Sequence, residues 1–274
     1  MAKIWRHQAS AVISLVALFW FLGSSAVTQE LKEQPTMLHV LAIGINHFTD
    51  RSTELSLKYA VKDAGDFALA LQSTQKRINA DFTIQYLTDD KANRQSILAA
   101  MGQVTENMRE NKSKKNVAFI LLSSHGAVIG QNFYLIPYDF NFKDLDDFAK
   151  TAISGEDLAY AISSMSRYGK VVLLVDACFS GALRHVMAMD NVSLLTSSKD
   201  EDELSREDPT FNHGAFTEAF LESLAGGADP EGTGTISMLG LASSMSHKLR
   251  ILTQGKQQLG LSVNYDDDIL VTTH

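Results

Sequence analysis

Three near-continuous apolar runs constrain this chain more than anything else in it: "MLHVLAIGI" (37–45), "VAFILLSSHG" (117–126) and "KVVLLVDACFSG" (170–181). Each is short, rich in β-branched residues and closed by polar residues or glycine, which predicts buried strands. Amphipathic helices alternate with them. Between Leu55 and Leu71, Ala60, Ala64, Phe67, Ala68 and Leu71 recur at helical spacing. "FTIQYLTDD" predicts a second strand and "RQSILAAMGQVTENM" a second helix, and "NFYLIPYDF" a shorter extended piece. Ser154 followed by Asp157 has capping-box spacing and opens a helix in "SGEDLAYAISSM". "VSLLTSS" is a fifth strand and "DDDILVTT" a closing one. Two more helices lie in "HGAFTEAFLESLAGG" and "ISMLGLASSMSHKLRIL". Such alternation predicts an α/β domain: a mainly parallel sheet of about six strands with helices on both faces.

The domain spans 38–272 and follows a short linker, 27–37. Residues 1–26 stand apart. Lys3, Arg6 and His7 precede an apolar run from about Ala11 to Leu22, and Ser24 and Ala26 suit a cut after Ala26. This reads as a secretory signal peptide, so the expected location is outside the cytoplasm, periplasmic or secreted, with no membrane attachment after cleavage. An uncleaved anchor is the alternative, although the run is shorter than the ~20 residues of a spanning helix.

Charge narrows the partners. The 274 residues carry 24 Lys and Arg against 32 Asp and Glu, a net −8, and loss of residues 1–26 takes this to −10. Nucleic acid is excluded as the expected partner, because phosphate contacts need a basic face. The one cysteine, Cys178, cannot pair within the chain, so it is either core filling or kept for its reactivity.

Ligands of open parallel sheets bind at the carboxyl ends of strands. Two strands there end in reactive side chains: "LLSSHG" delivers His125 and "LLVDAC" delivers Cys178, 53 residues later. If the strands are neighbours, imidazole and thiol emerge together, a nucleophile beside its acid/base. Side chains two apart on a strand share a face, so Asp176 is expected to point the same way as Cys178, one step deeper. A buried carboxylate needs a partner, in the protein or on a substrate. His213 also precedes a glycine, but it begins a helix rather than ending a strand and reads as a loop or cap residue.

"SSHGA", "FYLIPYD", "VDACFSGAL" and "HGAFTEAF", in this order, resemble the caspase-like cysteine peptidases, and within them the bacterial metacaspase-like (orthocaspase) branch. "LKYAVKDAGDFALAL" and "LTQGKQQ" fit as well, and the resemblance covers roughly 38–272. Leu259 departs from it, where related chains usually have proline. The resemblance implies a cysteine endopeptidase with a His125/Cys178 dyad and an oxyanion hole formed by the backbone N–H groups of Gly126 and Cys178. It also implies an acidic pocket selecting arginine or lysine before the scissile bond, with Asp176 and Asp63 as its carboxylates and Glu207 as a third candidate. The partners would be protein or peptide substrates with basic residues, and the peptidase would be a monomer. Arg184 and Arg206, flanking the loop after the nucleophile strand, are candidate self-cleavage points.

No cofactor is expected. Calcium accompanies many metacaspases, but the loop after His125 lacks their acidic cluster, "ADPEGTGT" lacks the oxygen ligands of a calcium loop, and Asp144, Asp146 and Asp147 read as solvated surface. No phosphate-cradling glycine motif follows any strand. The competing function is a catalytically silent caspase-like binding or scaffold domain. A different hydrolase on a similar sheet lacks a "GxSxG" elbow.

Overall fold

The computed structural model describes residues 36–49, 56–78, 81–111, 115–141, 148–200, 204–208, 212–264 and 268–271, all within the unit Gln34–His274. The expected signal segment, and Asp144, Asp146 and Asp147, lie outside them.

Six strands form the central sheet: β1 (Thr36–Gly44), β2 (Asp81–Thr88), β3 (Lys115–Ser123), β4 (Lys170–Asp176), β5 (Val192–Thr196) and β6 (Gly260–Val263). Their order is β6-β5-β4-β3-β1-β2. All neighbours run parallel except β6, which is antiparallel to β5. The expected mainly parallel six-stranded α/β arrangement is therefore present.

Burial explains why the strand sequences are apolar on both faces. Leu41, Ile43, Ile120, Leu122, Leu173 and Val175 pack under α2 (Arg94–Glu110) and α3 (Gly155–Ser166). Their alternating neighbours Leu38, Val40, Ala42, Phe119, Leu121, Val172 and Leu174 pack under α1 (Ala60–Ile78), α4 (Ala215–Glu222) and α5 (Met238–Leu252). Two helical layers thus remove both faces from water, which favours a parallel sheet. The helical positions read from the sequence, Ala60, Ala64, Phe67, Ala68 and Leu71, are all buried. Ser154 caps α3 in a complete capping box with Asp157.

Three expectations are corrected. The first helix begins at Ala60 rather than Leu55, because its preceding amides are taken: Leu57 N–H donates to Asn46 O, and Lys58 and Tyr59 N–H donate to the Glu207 carboxylate. Strand β4 stops at Asp176, so Cys178 lies beyond it. Residues Asp268–Val271 do not close the central sheet but pair with Thr235–Ser237, and the sixth strand is β6 instead. The expected extended piece is present: Asn132–Leu135 forms a hairpin with Gly126–Ile129, which starts directly after His125. Among the described residues, no helix is long and apolar enough to cross a membrane.

Candidate active site

The carboxyl ends of the central strands finish on one line. Gly44 pairs with Thr88 on one side and Ser123 on the other, and Ser123 pairs with Asp176. His125 and Cys178 each follow their own strand by two residues, one beyond Ser123 and one beyond Asp176. The ladder continues one step past the strands, with Ser124 N–H donating to Asp176 O at 3.2 Å. Sheet register therefore carries the histidine and the cysteine to the same edge in neighbouring turns.

The cysteine turn is tight. Ala177 N–H donates to Ser197 Oγ, and Ser180 N–H returns to Ala177 O. Phe179, directly after the cysteine, has φ 62° and ψ 10°, a left-handed conformation that costs a non-glycine residue about 1–3 kcal/mol and persists where surroundings enforce it. A 3₁₀ turn, Ser180–His185, follows, with Ser180 and Gly181 tied to the Ser198 hydroxyl. Cys178 is half-buried. Burial pushes its thiol above the ordinary range; hydrogen bonds from backbone amides, that of Ser205 foremost, oppose the shift, and the Asp176 charge adds to it. The resting group is a thiol.

Gly126 touches this turn. A Cβ placed on it would sit 2.2 Å from the Cys178 carbonyl oxygen, 2.8 Å from the Phe133 ring and 3.2 Å from Ala177 Cβ. Only glycine lets the two loops approach this closely. The His125 imidazole stacks on Phe48, with ring centroids 5.3 Å apart and planes 25° from parallel. Phe48 is held in turn, because Asp89 Oδ1 accepts from the amides of Asn46 and His47, and Thr49 N–H donates to Tyr138 O.

The two aspartates singled out from the sequence come together. Asp176 is buried; its Oδ1 accepts from Ser205 Oγ at 2.5 Å, and its Oδ2 lies 3.4 Å from Thr217 Oγ1. Asp63, in the first turn of α1, accepts from the Gly214 amide at 3.1 and 3.3 Å. Burial raises the Asp176 carboxyl to about 7, and the neighbouring Asp63 charge adds to the rise. Burial also raises Asp63, against the hydrogen bond from His213 and the Gly214 amide. Glu207 is nearby but differently engaged. Its carboxylate serves the amides at the start of α1, and its charge reaches both aspartates from there.

His213 was not expected here. It is buried, with Nδ1 2.7 Å from Asp63 Oδ1. Its partner lies 150 residues away in sequence, so local context gave no sign of the pairing. The self-cleavage candidates are both held in place. Arg184 lies in the 3₁₀ turn with Nε donating to Gly181 O, while Arg206 has its N–H on Gln257 and its carbonyl on the Ala215 amide. Neither backbone is presented as free extended chain.

Among the described residues no group of three or more His, Cys, Asp or Glu side chains is arranged to hold a metal ion. In "ADPEGTGT" the Asp229 carboxylate is spent on the amides of Thr233 and Gly234 and the Thr233 hydroxyl. A cavity of about 520 Å³ between α2 and α3 includes Leu98, Gly102 and Tyr160 in its lining but none of these site residues.

No protein-family model matches the chain, and no curated protein does. Among solved structures, protein GSU0716 from Geobacter sulfurreducens is similar in fold, with a TM-score of 0.59 at 14% identity over 88% of this chain and 100% of that one. At that identity the likeness concerns the fold alone.

Proposed function

We propose that the chain is a cysteine endopeptidase of the caspase-like, metacaspase-related kind, with Cys178 as nucleophile and His125 as general acid/base, cutting after arginine or lysine. The observation that carries this reading is the shared register: His125 and Cys178 each stand two residues beyond the paired Ser123 and Asp176. In the reaction, the Cys178 proton passes to His125 as sulfur attacks the scissile carbonyl carbon. The resulting oxyanion would be met by backbone amides of the Gly126 and Cys178 loops. Collapse expels the amine, which takes the proton from His125. Water, deprotonated by the same imidazole, then hydrolyses the thioester and restores the thiol.

Specificity follows from Asp63 and Asp176. A guanidinium or ammonium entering between them meets two carboxylates through charge-assisted hydrogen bonds, and an acidic side chain meets repulsion. Insertion of a cation would drive Asp176 to release its proton. The natural substrates would be proteins or peptides with exposed basic residues, met outside the cytoplasm by a monomer. Hydrolysis of fluorogenic peptides ending in Arg, Lys, Asp or Ala tests this directly. Turnover of the Arg and Lys peptides alone is expected, and a preference for Asp removes the pocket assignment. The burial-raised thiol also suits a silent binding domain; absence of turnover together with retained peptide binding would select that reading.

A further inference from the structure

Among the described residues at this site, His213 is a buried titratable side chain that the proposed chemistry does not use. It stands immediately before Gly214 and α4, and Asp63 Oδ1 faces its Nδ1. An ionised carboxylate can only accept, so Nδ1 carries the hydrogen. On the far side of the ring, Nε2 lies 2.9 Å from Lys62 Nζ. An ammonium has no lone pair and can only donate, which suits an Nε2 acceptor opposite an Nδ1–H donor. Lys62 is itself paired with Asp66. Asp66 Oδ2 is also 3.3 Å from Nε2, and Glu218 Oε2 is 3.8 Å from it. The ring is thus packed between one ammonium and three carboxylates.

We propose that His213 is a positioning residue of the cation pocket: its Nδ1–H fixes Asp63 beside Asp176, so that both carboxylates face one basic side chain. This inference rests on the cation-pocket reading above. The groups facing the ring are Lys62, Asp63 and Asp66 from α1 and Glu218 from α4, with Asp176 behind Gly214.

Calorimetric titration of the full chain with benzamidinium reports the pocket without requiring turnover. At about pH 8, His213→Ala is expected to bind about tenfold more weakly than wild type, the scale of one hydrogen bond to a charged group. His213→Asn, whose side-chain amide can supply the Nδ1 donor, is expected to stay within about threefold of wild type, because that bond is kept. No loss in the Ala variant, or equal loss in the Asn variant, overturns the positioning role. A wild-type chain that takes no benzamidinium at any pH sinks the cation pocket itself, and this inference with it.

Discussion

Asp63 and Asp176 reach the same glycine from two sides: a Cβ on Gly214 would lie 2.7 Å from Asp176 Oδ2 and 3.0 Å from Asp63 Oδ2. The two oxygens are therefore at most about 6 Å apart, close enough for one charge to oppose the other. Glycine leaves a narrow space between them that a side chain would fill. The two carboxylates therefore oppose each other's ionisation, on top of their burial.

Substrate selectivity should therefore depend on pH through Asp176. Its carboxyl titrates at about 7, so above that pH it offers a charge that Asp176→Asn cannot. For arginine peptides the variant should lose roughly 2–4 kcal/mol of kcat/KM at alkaline pH, the scale for one buried charged partner. Below about pH 6 the wild-type group is itself neutral and the gap should narrow. A gap that is constant from acid to alkaline pH would count against Asp176 as the titrating wall.

Stability should move the opposite way from the usual carboxylate case. The unfolded Asp176 ionises near 3.8, whereas the folded one keeps its proton to about 7. Across that window the native state binds more protons, so stability falls as pH rises and levels off above the folded value. Asp63, also raised by burial, adds in the same direction. Unfolding free energies from urea titrations should decline by roughly a few kcal/mol at most in wild type between those two pH values. Asp176→Asn should flatten much of that decline, and an unchanged slope would show that the burial of Asp176 is relieved in solution.

Gly126→Ala tests the closeness of the two loops. With Cys178 O 2.2 Å from the new methyl, one loop must shift. A misplacement of about 1 Å can cost roughly a hundredfold in rate. Turnover should therefore collapse while circular dichroism stays native-like. Near-normal turnover would mean that the reaction does not need this approach.

His125→Ala and Cys178→Ala should each abolish peptide hydrolysis, and the double variant should be no worse, because both side chains serve one step. Thermal melts should show all three folded. Residual turnover in Cys178→Ala close to wild type would end the peptidase reading.

Most of the architecture was legible because strands buried on both faces leave long apolar runs. The strand β6 was not. "GLSV" is a four-residue edge element with Leu261 partly exposed, so it carries no such run. The alternation rule placed Asp176 and Cys178 on one strand face, but the strand ends at Asp176 and Phe179 turns the chain left-handed. Cys178 therefore stands in the turn, beyond the pleat. Asp63 and Asp176 were singled out by resemblance and by burial logic, and both lie against Gly214. His213 was missed because a histidine before a glycine is unremarkable until α1 is folded against it.

The His125 and Cys178 turns hang from β3 and β4, whose neighbours are buried on both faces. The acidic pocket is instead assembled from the first turn of α1, the Ser205 hydroxyl and the His213–Gly214 bridge. Core strands open only with the whole domain, whereas helix starts and short bridges open at lower free energy. Warming or mild urea should therefore loosen selection before it stops the chemistry. Between those two thresholds the molecule would be a less discriminating catalyst rather than a slower one, with hydrogen exchange at Gly214 rising ahead of exchange in β3.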